Sequence, residues 1–573
     1  MNRMLQNEID HREDVEVIRE GPYQEKPGES NIEQFDTDQI TEGEITEEHL
    51  HETGERTDNW LIMGGAYDSQ RRYPGDELNP ENVGDLEVEW EFEHGDPPMT
   101  AYQNSPIIVQ GDPPIMYLTF GPDELHALNA RTGEFLWSHI YEPTVGASPD
   151  TAPAERGAAV FCDWVIKSTL DLGVMAVDRY TGEDVWYYNG ACAYRGEPAD
   201  DLMHEELMWE RSRGTTSSWP PLIYDGKIMK GSFGGEYGVS GFFDAISLEG
   251  EPQWRVNMTP EEEWVGDSWK HGGATAWASG AVDVETDQVI IPSANAAPWY
   301  GTVRPGWNPY SAGKVAVSTE DGEYRWHHQD APHDYWDYDS PSPALVYTAE
   351  VDGEERRLAS WAPKSGWVHT VDVETGQLVQ RSEEYVQHHN MWTIPGKEDL
   401  NKMPWIMPWL GGGTNPQPSS YHQESQTMVV TGHNEPWRWA WEDTWYEPPG
   451  EGFSGIAELE TTEYLEEWNG FHGVVAGIDP VSGEVKWQDW HDDVARGGTL
   501  STASGVSFAG TRGGDFIAYD TETGERLWAD QPGGEDGEVD GSPVAWHDPY
   551  EEKVFVFVST QQSGVATAYS VEV

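Results

Sequence analysis

Asp337 and Asp339 lie two residues apart in the most chemically distinctive stretch of the sequence, HDYWDYD at 333–339. A carboxylate can serve as a general base when it lies within hydrogen-bond reach of the proton it accepts, which makes Asp337 a candidate. Glu236 in GGEYGV and Asn295 in SANAAPW add oxygens of the kind that bind hard cations. Singly, these residues read as an acidic surface loop, a solvated loop charge and a turn cap. Together they are candidates for a cation site with a base beside it, and both interpretations stay open on the residues alone.

These residues lie between copies of a short repeat, which has an alternating apolar strand, a polar turn with glycine, and a tryptophan four residues after that glycine. Period-two alternation on both sides of a glycine turn predicts a hairpin, since glycine adopts the positive φ that such a turn needs. The glycine/tryptophan pairs are Gly133/Trp137, Gly182/Trp186, Gly250/Trp254, Gly322/Trp326, Gly483/Trp487 and Gly524/Trp528. A seventh copy, at Gly376, has Gln380 in place of the tryptophan.

Repetition at tens of residues predicts stacked units, here an all-β, eight-bladed β-propeller over residues 56–573. Each tryptophan is expected to lie between neighbouring sheets and join them. A strand around Leu86–Phe92 and the C-terminal strand around Val565–Val573 would complete the eighth blade and remove an open edge. Independent β-sandwich domains are the alternative, which the unbroken series disfavours. The long stretch from Gly376 to Gly483 predicts an insertion on one face, where function usually lies.

The chain has 573 residues and a formal net charge of −71, from 33 Lys and Arg against 104 Asp and Glu. So acidic a surface repels phosphate backbones and excludes nucleic-acid binding. It resembles proteins of extremely halophilic microbes, because molar salt screens self-repulsion of this size. An acidic protein from an ordinary organism is the alternative. The 29 tryptophans exclude disorder for most of the chain.

Residues 1–55 form a polar, acidic extension with no apolar signal segment, and we expect them to be disordered. Either the protein stays inside the cell or a leader has been removed or replaced. No apolar run approaches the ~20 residues of a membrane span. Cys162 and Cys192 are the two cysteines, and the sequence leaves open whether they pair. There is no Cys-x-x-Cys-His motif, so the chain carries no c-type haem.

Together with the repeat, Asn59-Trp60, Arg72-Tyr73 and the stretch 79–90 (NPENVGDLEVEW) resemble the quinoprotein alcohol dehydrogenases. Members of this family are eight-bladed propellers that hold pyrroloquinoline quinone (PQQ) and a metal ion. The resemblance runs from about Trp60 to Val573. The residues between the repeats are its specific part, since cofactor-free assembly propellers also carry the repeat.

The resemblance implies that Asp337 is the metal-contacting catalytic base and that Glu236 and Asn295 are further metal ligands. Asp339 resembles the extra aspartate of the lanthanide-dependent members. A trivalent ion is better balanced by one more carboxylate, which favours a lanthanide ion over calcium. An aspartate recruited for solvation in a halophile is the alternative interpretation of Asp339.

A cofactor bed is implied as well. Trp277 would stack under the planar quinone, Arg156 would bind a cofactor carboxylate, and Lys364 would stabilise charge that develops at the quinone carbonyls. The other positions implied to contact the cofactor are Gln103, Ser218, Gly234, Gly235, Asn415 and Arg496.

Several positions depart from the family pattern. Gln103 stands in place of a glutamate and Arg496 in place of a tryptophan beside the cofactor. The vicinal cysteine pair of the family would fall near Asp150-Thr151 and is missing. After Gln561-Gln562 the chain lacks the aromatic loop that caps the small pocket of methanol-oxidising members. These departures argue against a pocket for methanol alone.

The resulting hypothesis is a PQQ- and metal-dependent dehydrogenase that oxidises a primary alcohol to an aldehyde. Reduced cofactor would pass its electrons to an external acceptor, such as a cytochrome or a cupredoxin-like protein. One alternative is a non-catalytic propeller scaffold, which should have lost the Glu/Asn/Asp set. Another is a PQQ enzyme for sugars or aldehydes. The family implies a location outside the cytoplasmic membrane or at the cell surface, although no signal peptide is visible.

Overall fold

The computed structural model describes twelve stretches of the chain, which contain almost all of the predicted propeller. They are residues 45–94, 103–121, 123–141, 154–170, 172–188, 216–248, 250–397, 399–441, 454–462, 465–534, 537–561 and 563–573. Cys192, Asp150-Thr151 and Gln562 lie outside them. Of the segment 1–55, the part that is described begins at Ile45 and contains the helix α1 (Glu47–Glu52), capped by Thr46 and with Leu50 buried.

Eight antiparallel four-stranded sheets form the blades of a β-propeller, which confirms the predicted fold. Blade 1 has β3 (Ile107–Val109), β4 (Ile115–Phe120), β5 (Glu124–Asn129) and β6 (Phe135–Ile140), and blade 2 has β7 (Ala159–Phe161), β8 (Trp164–Ser168), β9 (Val174–Asp178) and β10 (Asp184–Tyr188). Blade 3 has β11 (Leu222–Tyr224), β12 (Lys227–Gly231), β13 (Phe242–Ser247) and β14 (Pro252–Asn257), and blade 4 has β15 (Ala281–Asp283), β16 (Gln288–Ser293), β17 (Gly313–Ser318) and β18 (Tyr324–Gln329).

The second half of the ring repeats the same plan. Blade 5 has β19 (Leu345–Val351), β20 (Glu354–Trp361), β21 (His369–Asp372) and β22 (Leu378–Arg381), and blade 6 has β23 (Ser420–His422), β24 (Thr427–His433), β27 (Gly473–Ile478) and β28 (Val485–His491). Blade 7 has β29 (Leu500–Thr502), β30 (Val506–Gly510), β31 (Phe516–Asp520) and β32 (Arg526–Asp530), and blade 8 has β33 (Val544–Asp548), β34 (Lys553–Ser559), β35 (Val565–Glu572) and β2 (Glu87–Glu93).

The remaining elements lie at the edges of this ring. Strand β1 (Arg72–Tyr73) pairs in parallel with β29 of blade 7, and a hairpin of β25 (Trp437–Trp441) and β26 (Ile456–Thr461) is inserted in blade 6. Short 3₁₀ turns lie at Thr53–Glu55, Val83–Asp85, Gly235–Tyr237, Ser268–His271, Gly301–Val303 and Leu400–Lys402. Within the described stretches, no helix is both long enough and apolar enough to cross a membrane.

Closure of the ring joins the two ends of the chain, as the sequence predicts. Strand β2 pairs antiparallel with β35, where Trp90 lies opposite Ala568 and Glu93 opposite Val565. The inner strands are buried on both faces, because each blade packs between two neighbours: all six residues of β4 are buried. In the outermost strand β6, by contrast, Trp137 is the one fully buried residue.

Five tryptophans each join one blade to the next. The Trp254 ring lies against the turn of blade 4, so closely that a β-carbon on Gly322 would be 2.9 Å from it, and its Nε1 donates to the carbonyl of Thr319 at 3.1 Å. The same contact links Trp90 to Gly133, Trp137 to Gly182, Trp326 to Gly376 and Trp487 to Gly524. In the divergent copy the side chain of Gln380 takes this place against Gly483 and donates to the carbonyl of Ser482.

The strand order separates two faces of the propeller. In a four-stranded antiparallel blade, the link from the second to the third strand and the link to the next blade leave from the same side. We call this side the loop face; it includes residues 232–241, 294–312, 330–344 and 362–368. The glycine turns between the third and fourth strands form the opposite side, the turn face. All of the sequence-predicted site residues lie in connections of the loop face.

Candidate active site

A lysine bridges two aspartates at the junction of blades 4 and 5. The Nζ atom of Lys364 lies 3.0 Å from Oδ2 of Asp337 and 2.8 Å from Oδ2 of Asp339. Asp339 also accepts a 2.5 Å hydrogen bond from the backbone NH of Asn295, and its carbonyl accepts one from the NH of Lys364 at 3.1 Å. Four of the predicted residues, from two blades and the loop between them, are therefore in direct contact.

Glu236 approaches this group from blade 3. It lies in a 3₁₀ turn between Gly234 and Gly238, which have φ values of 110° and 68°, so the chain there takes a left-handed conformation that glycine favours. Its Oε1 accepts a hydrogen bond from Nε1 of Trp299 at 3.3 Å. Burial raises the pKa of Glu236, and the nearby charge of Asp339 raises it further.

The electrostatics of this group show an excess of negative charge. Burial raises the pKa of Asp337 well above its usual range; Lys364 opposes this shift, while Asp339 and Glu236 add to it. Burial acts to lower the pKa of Lys364, but the two aspartates outweigh it and raise that pKa. Three carboxylates share one ammonium group, so a cation would relieve their mutual repulsion. The donor set, carboxylate oxygens with the amide of Asn295, fits a hard metal ion.

A guanidinium group organises the other end of the site. Arg156 donates from Nη1 to Oγ of Ser218 at 2.7 Å and from Nε to Oε1 of Gln103 at 3.0 Å. Its Cζ lies 5.5 Å from the ring centre of Trp277 and 5.4 Å from that of Trp219. Burial lowers the pKa of Arg156 to about 9, and the charge of Arg496 contributes in the same direction.

Arg496 is the second guanidinium at this end. Its Nε donates to the backbone carbonyl of Asn415 at 3.1 Å, and its Nη1 lies 3.8 Å from Oδ2 of the buried Asp540. Oδ1 of Asn415 is buried and has no hydrogen-bond partner. Two guanidinium groups and an unsatisfied amide oxygen fit a ligand that carries carboxylates and polar ring atoms, as PQQ does.

The two ends meet at an aromatic floor. Phe233, three residues before Glu236, packs edge-on against Trp277 with ring centres 5.5 Å apart. The loop that carries Trp277 pairs with the loop that carries Asn295, through a hydrogen bond from Ala274 to the Asn295 carbonyl at 2.8 Å. Trp277 is 9 % exposed, so this residue is nearly buried between its neighbours.

Sequence reasoning missed an aromatic wall beside the carboxylates. Trp299, which bonds Glu236, packs edge-on against Trp437 and Trp439 of the β25–β26 hairpin, each at 6.4 Å between ring centres. This hairpin is the insertion that the repeat spacing predicts, and it lies on the loop face. Trp336, Tyr338 and Trp367 belong to the same apolar cluster. An apolar wall next to the carboxylates suits an organic substrate.

Two groups of histidines and carboxylates also escaped the sequence analysis. Their candidate ligand atoms lie within 4.8 Å of one another, which is not so for Glu236, Asp337 and Asp339 among the described residues. One group is His94, Glu124 and His126, and the other is His328, Asp330 and His369. Glu124 and His126 share strand β5, but His94 follows β2, and the second group joins blades 4 and 5. An acidic, histidine-containing sequence gives no signal for such pairings between distant segments.

Residues 60–396 match the family model described as the β-propeller domain of glucose, ethanol and alcohol dehydrogenases. Residues 472–571 match the model of the outer membrane protein assembly factor BamB, in the part of the chain that carries the last repeats. The first match spans more than half of the chain and contains the carboxylates, Lys364, Arg156 and Trp277.

Curated relatives agree with this match. The quinoprotein alcohol dehydrogenase PedH of Pseudomonas putida is 29 % identical over 559 residues, which cover 89 % of this chain and 88 % of the relative. A quinoprotein ethanol dehydrogenase of Pseudomonas aeruginosa is 27 % identical and covers 90 % and 88 % of the two chains.

Solved structures extend the agreement to the fold. A quinohemoprotein alcohol dehydrogenase from Pseudomonas putida has a TM-score of 0.78 at 25 % identity, covering 91 % of this chain and 81 % of that one. A europium-containing methanol dehydrogenase has a TM-score of 0.79 at 20 % identity, with 91 % and 100 % covered. With the fold and the residues of its loop face, these matches show that the chain belongs to the family of PQQ-dependent alcohol dehydrogenases.

Proposed function

We propose that this chain oxidises a primary alcohol to an aldehyde, and that Asp337 is the general base that accepts the hydroxyl proton. PQQ, when bound, would supply the hydride acceptor, and its metal ion would supply Lewis acidity. The observation that supports this proposal is the division of the site into two charged ends. Three carboxylates and one lysine lie at one end and two guanidinium groups at the other.

The metal would be held by Glu236, Asn295, Asp337 and Asp339. Asp339 makes the set more anionic, which favours a lanthanide ion over calcium because three positive charges neutralise three carboxylates more fully. Lys364, held between the two aspartates, orients both and places a positive charge where negative charge would develop on reduction.

At the other end, Arg156 and Arg496 would bind the acidic groups of the cofactor, with Asn415 as a further contact. Ser218 and Gln103 fix the guanidinium of Arg156 through its two hydrogen bonds, so its direction is set before binding. Trp277 would stack against the planar ring, and Gly234 and Gly235 would be further cofactor contacts.

Electrons would leave for an external acceptor, a cytochrome or a cupredoxin-like protein, since the sequence has no Cys-x-x-Cys-His motif. An artificial dye replaces that acceptor in the assay. Molar salt is included because we infer a halophilic protein from the net charge of −71.

The test is reconstitution of the chain with PQQ and either Ca²⁺ or La³⁺, followed by dye-linked oxidation of a series of primary alcohols, one sugar and one aldehyde. We expect turnover of alcohols, with La³⁺ at least as effective as Ca²⁺. Asp337→Asn should lower kcat by about 10²–10⁴-fold, the range for loss of a general base. Asp372→Asn, in the turn of blade 5 on the opposite face, should keep the wild-type rate.

Three outcomes would count against the proposal. Absence of quinone absorbance after desalting would remove the cofactor assignment. Retained quinone with turnover of the sugar or aldehyde alone would replace the alcohol as substrate. Full activity of Asp337→Asn would remove the assignment of the base while leaving the cofactor in place.

A further inference from the structure

Three metal-ligand side chains converge at the boundary of blades 4 and 5, outside the site described above. His328 lies on β18, the last strand of blade 4, and Asp330 follows that strand directly. His369 opens β21, the third strand of blade 5. Asp330 and His369 are 8 % and 4 % exposed, and the side chain of His328 is 15 % exposed.

The spacing of the three ligand atoms is that of a small coordination shell. Nε2 of His328 lies 3.1 Å from Nδ1 of His369, which lies 3.3 Å from Oδ1 of Asp330, and the third side of the triangle is 3.7 Å. In a tetrahedral zinc site with bonds of ~2.0–2.1 Å, neighbouring ligand atoms are about 3.3–3.4 Å apart. The observed triangle therefore has nearly the size that one ion at its centre requires.

Hydrogen bonds among the three residues do not use all the lone pairs of their ligand atoms. Oδ1 of Asp330 is buried and accepts no hydrogen bond, although Oδ2 of the same carboxylate accepts one from Nε1 of Trp361 at 2.9 Å. One proton at most can lie between the two imidazole nitrogens. A cation would use the lone pairs of all three atoms, and the Trp361 contact would orient the carboxylate as outer partners of metal ligands do.

The surroundings hold both histidines in the form that binds metal. Burial lowers the pKa of His328 and lowers that of His369 to about 4, so both rings are neutral at neutral pH. The positive charges that face the group are Lys314 and Arg381. Lys314 donates to the carbonyl and the hydroxyl of Ser340, at 2.6 and 2.7 Å, and Arg381 lies over the ring of Trp367 at 4.4 Å.

We propose that His328, Asp330 and His369 bind a divalent transition-metal ion of the zinc type, with water as the fourth ligand. Two imidazoles and one carboxylate select such an ion, whereas the oxygen-rich group around Asp337 selects calcium or a lanthanide. The ion ties the last strand of blade 4 to blade 5. It also anchors the start of the loop 330–344, which carries Asp337 and Asp339.

The group His94, Glu124 and His126 offers a matched control. Both of its histidines contact the same oxygen, Oε2 of Glu124, at 2.9 and 3.2 Å, so that oxygen already has its partners. We assign this second group to ordinary hydrogen bonding.

The test is titration of the full chain with Co²⁺ in molar NaCl with saturating Ca²⁺, which fills the oxygen sites. Co²⁺ absorbs strongly in the visible when tetrahedral and weakly when octahedral, so ions on the acidic surface contribute little. We expect one equivalent of tetrahedral Co²⁺ that Zn²⁺ displaces. Affinity should fall at least tenfold in His328→Gln and Asp330→Asn and stay unchanged in His126→Gln.

A second measurement needs no variant to fold. Zn²⁺ at a few equivalents should raise the Tm of the wild-type chain by several degrees, because it binds the folded state alone. The proposal is overturned if no tetrahedral band forms, if His328→Gln binds Co²⁺ with wild-type affinity, or if Zn²⁺ leaves the wild-type Tm unchanged.

Discussion

The two faces of the propeller use the same residue types for opposite purposes. On the turn face, five tryptophans each lie against a glycine of the next blade and donate to a backbone carbonyl, so one local pattern recurs around most of the ring. On the loop face, Trp299 contacts Glu236 and Trp277 contacts Arg156, and neither contact is repeated from blade to blade. We therefore expect the repeated contacts to contribute most to stability, whereas buried like charges collect where the chemistry is proposed.

The largest expected effect comes from breaking a contact of the turn face. Trp254→Ala removes a 5 % exposed ring from between blades 3 and 4 and should lower the free energy of unfolding by about 3–5 kcal/mol. Trp307→Ala, at a ring that is 75 % exposed on the loop face, should change it by less than about 0.5 kcal/mol. If denaturant titrations gave the two variants equal losses in the free energy of unfolding, the turn-face tryptophan would contribute no more to stability than an exposed one.

A smaller effect on stability is expected from pH, through a buried histidine of the loop face. His388 lies on the loop face, edge-on to Trp367 at 4.2 Å, and burial lowers its pKa to about 4. The unfolded chain, with a histidine pKa near ~6.5, binds more protons between those values, so stability is full above about pH 6.5 and falls as the pH drops towards 4. His388→Gln should flatten this part of the profile by up to about 3 kcal/mol. A profile that keeps the wild-type slope would contradict the assignment.

The smallest effect is expected from adding a tryptophan at the divergent position of the turn face. Gln380→Trp restores a ring against Gly483 and should raise the free energy of unfolding by about 1 kcal/mol through added apolar burial. Leu378→Trp, on the same strand at a half-exposed position, should leave stability nearly unchanged. If Gln380→Trp is no more stable than Leu378→Trp, the turn of blade 6 is not shaped for a ring.

Most of the turn face could be predicted from sequence because its contacts repeat. The spacing from glycine to tryptophan predicts both the hairpin and the partner blade, and the strand pairing Leu86–Phe92 with Val565–Val573 follows from the need to close the ring. Gln380 looked like a missing contact, but the structure shows that an amide fills the same position against Gly483.

The loop face could be predicted only in part. The resemblance places Asp337, Glu236 and Arg156 on this face, yet the bonds of Lys364 to two aspartates and of Arg156 to Gln103 depend on side-chain directions that no pattern encodes. His328 and His369 are 41 positions apart on two blades, so their contact depends on how the blades pack. In a chain this acidic, nothing in the sequence distinguishes Asp330 from the many other aspartates.

Tb³⁺ luminescence can show whether Glu236, Asn295, Asp337 and Asp339 bind one hard cation, as we propose. The titration is done in molar salt to suppress binding of Tb³⁺ at the acidic surface. Excitation of Trp299, which lies beside Glu236, should then sensitise the emission of one bound Tb³⁺ per chain. Glu236→Gln should weaken this binding at least tenfold, while Glu424→Gln, at a half-exposed side chain on β23–β24, should not. Equal Tb³⁺ affinity in wild type and Glu236→Gln, or no sensitised emission at all, would contradict the account.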